Sequence, residues 1–130
     1  MARVLLVDDD PVVVELVRFR LRKEGHRVLT AASGEEALGV VAERGRPEVV
    51  VLDVSMPHMD GLELLGALRG QDGLADVPAI FLSGRLDPAD VEAGRALGAT
   101  YLTKPFVANA LLRAIERALE PVGPSDDGGW

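Results

Sequence analysis

The sequence predicts an α/β fold of the (βα)₅ kind, a five-stranded parallel sheet covered by helices on both faces. Five short apolar runs alternate with longer stretches in which apolar residues recur at helical spacing. Three of the runs are apolar throughout, as central strands buried on both faces must be. The chain has 130 residues, the size of one domain, and 48% of them are hydrophobic, enough for a core without staples.

The elements follow in order. Val4–Val7 is the first strand, and Val13, Val17 and Leu21 form the stripe of the first helix. Val28–Ala31 is the second strand. Ser33-Gly-Glu-Glu36 has the spacing of a capping box and opens a helix whose buried face is Ala37, Leu38 and Val41. Gly45 and Pro47 stop it. Val49–Leu52 is the third strand, followed by a helix with Leu64, Leu65 and Leu68 inward. Ala79–Leu82 is the fourth. Asp87-Pro88 supplies an N-cap and a proline at the first helical position, and Gly98 ends that helix. Its apolar face is thin, with Val91 and Leu97 as the large members, and Gly94 weakens it by ~1 kcal/mol relative to Ala. Tyr101–Thr103 is the fifth strand, and Leu111, Leu112, Ile115 and Leu119 mark the last helix. His26 and His58 fall in turns and are expected to face solvent. Residues 1–120 form the domain; the sequence PVGPSDDGGW at 121–130 lacks periodicity and is expected to be a flexible tail or the start of a linker.

Composition narrows the function. Aromatic residues make up only 4%, so Val, Leu and Ala must fill the core. With no cysteine, disulfides and thiolate metal sites are excluded, which suits a reducing, cytoplasmic setting. The opening MARVLLVDDD is too short an apolar run for a signal peptide or a membrane span. A net charge of −7 argues against binding of nucleic acid or an anionic membrane by this domain.

In an open parallel sheet, function collects at the carboxyl ends of the strands. Strand 1 ends in Asp8-Asp9-Asp10, strand 3 in Asp53, strand 4 in Ser83, and strand 5 in Lys104-Pro105. Each residue alone has an ordinary explanation: Asp is favoured at caps and turns, Ser in turns, Lys on surfaces. Together they supply complementary groups at four strand ends. Converging carboxylates repel one another unless a cation lies between them, and hard oxygen ligands favour Mg²⁺. A carboxylate in line with a phosphorus atom can then act as nucleophile, with the Lys104 ammonium and the Ser83 hydroxyl on phosphoryl oxygens.

The segments VLLVDDDP (4–11), VVVLDVSMPHMDG (49–61), AIFLSG (79–84) and YLTKPF (101–106) resemble, in this order, the receiver domain of two-component response regulators, the CheY-like family. The resemblance covers about residues 2–120. It implies a doubly wound, flavodoxin-like sandwich with strand order 2-1-3-4-5. It also implies phosphotransfer to Asp53 from a histidine kinase or histidine phosphotransfer protein. By position, Asp8 and Asp9 match the acidic pair that binds Mg²⁺ with Asp53, and Ser55 matches the residue whose backbone carbonyl completes the metal site. Ser83 and Lys104 match the phosphate-sensing pair, and Tyr101 the aromatic switch. The implied output is a face of Ser83, Tyr101 and the helix 87–97, acting on a downstream protein or, through helix 4, strand 5 and helix 5, on a second copy. The Lys104–Pro105 bond is cis in the family.

Two departures stand out. Relatives commonly read G-A-x-x-Y-L-x-K-P-F, whereas here only Thr100 separates Gly98-Ala99 from Tyr101, which questions the switch role of Tyr101. Val107 also occupies a helix start where relatives often have a capping Asp or Ser. Three other readings stay open. Asp8-Asp9-Asp10-Pro11-Val12 fits the D-x-D-x-[TV] motif of haloacid-dehalogenase-like phosphatases, with Asp8 as nucleophile and Asp10 as acid/base, although Asp53 then has no role. A non-phosphorylated interaction module would share the fold. A flavin-binding protein would need a phosphate-cradling loop after strand 1, where three aspartates stand instead.

Overall fold

The computed structural model describes residues 2–84 and 87–120. The tail expected at 121–130 lies outside the described residues. Five strands alternate with five helices: β1 (Arg3–Val7), α1 (Pro11–Lys23), β2 (Arg27–Ala31), α2 (Gly34–Arg44), β3 (Val49–Asp53), α3 (Gly61–Arg69), β4 (Ala79–Ser83), α4 (Pro88–Ala96), β5 (Thr100–Thr103) and α5 (Ala108–Ala118). All strand pairs are parallel and their order is β2-β1-β3-β4-β5, as expected. No helix of the described residues is long and apolar enough to cross a membrane.

Alternation along the strands divides the core in two. Leu5, Val7, Leu52 and Phe81 meet Ala37 and Val41 of α2 and Leu64, Leu65 and Leu68 of α3. Val4, Leu6, Val51, Ile80 and Leu82 meet Val17 and Leu21 of α1 and Leu111, Leu112 and Ile115 of α5. Central strands are therefore apolar on both faces, and each change in this pattern falls at a strand end.

The helix ends follow local chemistry, with some differences from expectation. Asp10 caps α1 by accepting from the Val12 amide at 2.9 Å. Ser33 caps α2 through the Glu36 amide, but the Glu36 carboxylate reaches past Ser33 to the Ala32 amide. The reciprocal capping box instead opens α3, between Asp60 and Glu63. Asp87 caps α4 through the Ala89 amide, and Val107 leaves α5 without a side-chain cap. His58 is exposed as expected, whereas His26 is half-buried: its Nδ1 accepts from the Ala2 amide and ties the chain start to the α1–β2 turn.

The shortened turn before β5 closes tightly. Gly98 adopts φ 73°, its amide donates to Arg95 O at 2.9 Å, and the Ala99 amide donates to Gly94 O at 3.0 Å. This pair of bonds is a Schellman motif, and it delivers the chain directly into β5. Tyr101 consequently stays in register with Phe81 of β4.

Candidate functional site

The buried polar or charged residues of the described chain are Asp8, Asp53 and Ser83, at 1%, 4% and 7% exposure. All three lie at the carboxyl edge of the sheet. β1 and β3 are neighbours with Val7 opposite Leu52, so Asp8 and Asp53, the next residue on each, reach the same edge. Ser83 is the last residue of β4, and its carbonyl accepts from the Lys104 amide at 2.6 Å, which fixes the start of the Lys104–Pro105 turn. That peptide bond is cis. The four strand ends singled out in the sequence thus meet.

One carboxylate oxygen each from Asp8, Asp9 and Asp53 lie within 4.8 Å of one another. At that separation two like charges repel by roughly 3–4 kcal/mol at an effective dielectric constant of about 20. The Lys104 ammonium stands 2.8 Å from Asp8 Oδ2 and 3.6 Å from Asp53 Oδ1. One cation cannot neutralise three carboxylates. Burial, and then the Asp8 charge, push the Asp53 carboxyl from 3.8 up to about 7, despite the opposing pull of Lys104 and a hydrogen bond from the Ser55 amide. Burial lowers the Lys104 ammonium, but Asp8 and Asp53 outweigh it and the net shift is upward.

The donor set fits a hard divalent cation. It contains oxygen only, and Asp8 Oδ2 is buried without a hydrogen bond of acceptable geometry, its close neighbour being the Lys104 charge. The other Asp8 oxygen already accepts from the Asp10 amide at 2.9 Å. Asp9 is exposed, and Asp10 lies outside the group, its carboxylate engaged as the α1 cap.

The loop after Asp53 is drawn tight. The Val54 amide bonds Leu82 O, and the Gly61 amide returns to Val54 O. A Cβ at Gly61 would stand 2.5 Å from the Asp53 carbonyl oxygen, so glycine is required for α3 to begin so close to β3. His58 has φ 71° and is bridged by a bond from the Met59 amide to Pro57 O, a strained γ-turn in the same loop.

Tyr101 projects from β5 between Phe81 and α4. Its ring centroid is 5.2 Å from that of Phe81, and its hydroxyl donates to the Asp90 carbonyl at 2.5 Å. Burial, followed by the charges of Asp90, Asp60 and Asp87, raises its ionisation above the ordinary value. Gly94 faces this ring: a Cβ there would stand 3.1 Å from Cζ and 3.2 Å from the hydroxyl oxygen. The sequence marks Gly94 only as a weak point in a helix; in the fold it is the floor on which Tyr101 rests. Nothing in the local sequence signals that contact, nor the Gly61 approach, because both depend on a neighbouring element.

Comparison with known proteins agrees with this arrangement. The family model for the response regulator receiver domain matches residues 4–116. The alkaline phosphatase synthesis transcriptional regulatory protein PhoP of Bacillus subtilis is 39% identical over 129 residues, which cover 96% of this chain and 52% of that protein. The transcriptional regulatory protein PrrA of Mycobacterium tuberculosis is 43% identical over 122 residues, covering 93% and 51%. The chain therefore spans about half the length of these curated relatives. Among solved structures, the chemotaxis protein CheY4 of Vibrio cholerae superposes with a TM-score of 0.85 at 38% identity, over 92% of this chain and 99% of that one. With its strand order, its carboxyl-edge cluster and these matches in hand, the chain belongs to the response regulator receiver domain family.

Proposed function

We propose that this chain is a phosphoacceptor switch that takes a phosphoryl group onto Asp53 and relays its presence through Ser83, Tyr101 and α4. The observation that carries this reading is the Asp53 carboxylate itself. It is buried at a strand end, beside two further carboxylates and within reach of one lysine. The donor is the phosphohistidine of a histidine kinase or histidine phosphotransfer protein. An Asp53 oxygen attacks phosphorus, a P–O bond forms as the P–N bond breaks, and the imidazole leaves with the electron pair. Water later cleaves the acyl phosphate and restores Asp53. The chain thus acts chemically only on itself, as a signalling switch rather than an enzyme with a separate substrate.

Asp8, Asp9, Asp53 and the Ser55 backbone carbonyl would hold Mg²⁺, which supplies charge neutralisation for the incoming phosphoryl oxygens. Lys104, paired with Asp8 and close to Asp53, is placed to exchange these partners for a phosphoryl oxygen. Ser83 offers a hydroxyl to another and draws the β4–α4 loop with it. The Tyr101–Asp90 bond and the Gly94 floor make α4 responsive to that movement. The outward readers are a downstream protein or a second copy, meeting the α4–β5–α5 face. Residues 1–120 form the receiver unit. The names of the relatives place such units in transcriptional regulators. A cytoplasmic location and the absence of nucleic-acid binding by this domain fit the cysteine-free, acidic composition.

Intact mass after incubation with acetyl phosphate and Mg²⁺ tests the reading. One phosphoryl group should appear, be released by hydroxylamine, and be lost in Asp53→Ala. An adduct on Asp8 that survives Asp53→Ala would favour the phosphatase chemistry instead.

A further inference from the structure

A second charged cluster lies at the opposite edge of the sheet. Arg3 opens β1, Arg27 opens β2, Arg22 and Arg44 stand in the last turns of α1 and α2, and Arg46 follows α2. All five are exposed and line one groove of about 540 Å³. No Asp or Glu lines it. Among the described residues, none of the five has a carboxylate within ion-pairing distance; the pairs that form there belong to Arg18, Arg20 and Lys104. Arg3 and Arg27 are direct partners in the β1–β2 register, where like charges side by side are destabilising. In a chain of net charge −7, five of the 14 Lys and Arg residues line this groove.

Complementing the helix dipoles does not explain the cluster. The C-termini of α1 and α2 bring roughly half a negative charge each, about one in total. Arg46 turns its guanidinium onto Gly73 and offers its carbonyl to Arg3 Nε. The other four guanidinium groups exceed that charge by about three, and two of them, Arg3 and Arg27, lie outside the two helices. The floor is apolar, formed by Leu29, Val40 and Val41, and Leu29 is 37% exposed. The volume falls in the range of small-molecule sites.

We propose that this groove binds a small phosphorylated ligand with a planar body, of the nucleotide class. Guanidinium forks engage phosphate oxygens two at a time and stack on planar rings, and the apolar floor accepts the ring's other face. Five-residue strands place the groove about 17 Å from the acidic edge, so ligand and Asp53 phosphoryl group do not compete for space.

The test is a titration of the full chain with ATP and GTP in EDTA without Mg²⁺, followed by backbone amide shifts, with pyrophosphate as the control anion. Shifts should concentrate in residues 3–5, 27–29 and 40–46. The nucleotides should bind more tightly than pyrophosphate. Arg27→Glu with Arg44→Glu should weaken nucleotide binding about tenfold or more, by loss of charge-assisted bonds. Asp53→Asn should leave it unchanged. Shifts centred on residues 8–10 and 53–55 would overturn the proposal. So would no shift at all, or equal affinity for pyrophosphate and nucleotide. The wild-type shift map decides the location even if the double variant fails to fold.

Discussion

β3 and β5 end at the same edge of one sheet, yet they are built to different standards. Every residue of β3 is buried, and at most 4% of any is exposed. None of the four residues of β5 is buried, and the buried residue of α4 is Gly94, which has no side chain to pack. The contrast separates two tasks. Holding like charges together at Asp8 and Asp53 needs a scaffold that does not relax. Reporting a new charge needs an element whose position a few kcal/mol can change.

In-register neighbours sharpen the contrast most. Phe81 and Tyr101 face each other across β4 and β5, but Phe81 is fully buried and Tyr101 half-buried. Phe81→Ala should cost about 3–5 kcal/mol in urea unfolding, whereas Tyr101→Ala should cost less than half as much. Equal losses would mean that the β5 edge is as firmly built as the centre.

The next effect depends on pH. In the metal-free protein the Asp53 carboxyl stands at about 7 instead of 3.8. Between those values the folded chain retains a proton that the unfolded chain has released. Stability should therefore fall as pH rises through this window, by at most about 1.4 kcal/mol per pH unit from this group. Asp53→Asn removes that slope and should be more stable than wild type at pH 8 in EDTA. Mg²⁺ affinity of the wild type should weaken as pH drops below about 7. Unfolding and Mg²⁺ titrations at pH 5 and pH 8 measure both.

The strand-end chemistry was legible because central strands are apolar until they stop, so Asp53 and Ser83 each mark an edge in one dimension as they do in three. The Schellman turn into β5 was less legible. The sequence shows a missing residue, but the Gly94 and Arg95 carbonyls that accommodate it belong to helix geometry. Arg69 was unreadable: its guanidinium bonds the carbonyls of Val77 and Leu97, anchoring the end of α4 from α3. Gly94 was legible only in part, for the same reason. Helix propensity counts a residue against its own helix, whereas the decisive neighbour of Gly94 is a ring on β5.

That neighbour yields a smaller but cleaner test. Propensity alone gives Gly94→Ala a gain of ~1 kcal/mol. The added methyl would crowd Tyr101 at 3.1 Å and strain its bond to Asp90 O, so in the wild-type background the gain should vanish. With Tyr101→Ala already present, Gly94→Ala should recover its ~1 kcal/mol. A double-mutant cycle with no coupling would remove Gly94 from the support of Tyr101. Smallest of all is Val107→Asp. Val107 is 69% exposed and caps nothing, so an acceptor there should stabilise α5 by ~1 kcal/mol, read as a higher Tm.

Amide hydrogen exchange, with and without beryllofluoride and Mg²⁺, probes the division of labour between chemical edge and signalling edge most directly. Protection should change chiefly within residues 83–103, while the amides of β1 and β3 keep their rates. Changes centred on α1 and α2, with α4 and β5 unaffected, would show that the phosphoryl signal leaves the site by another route.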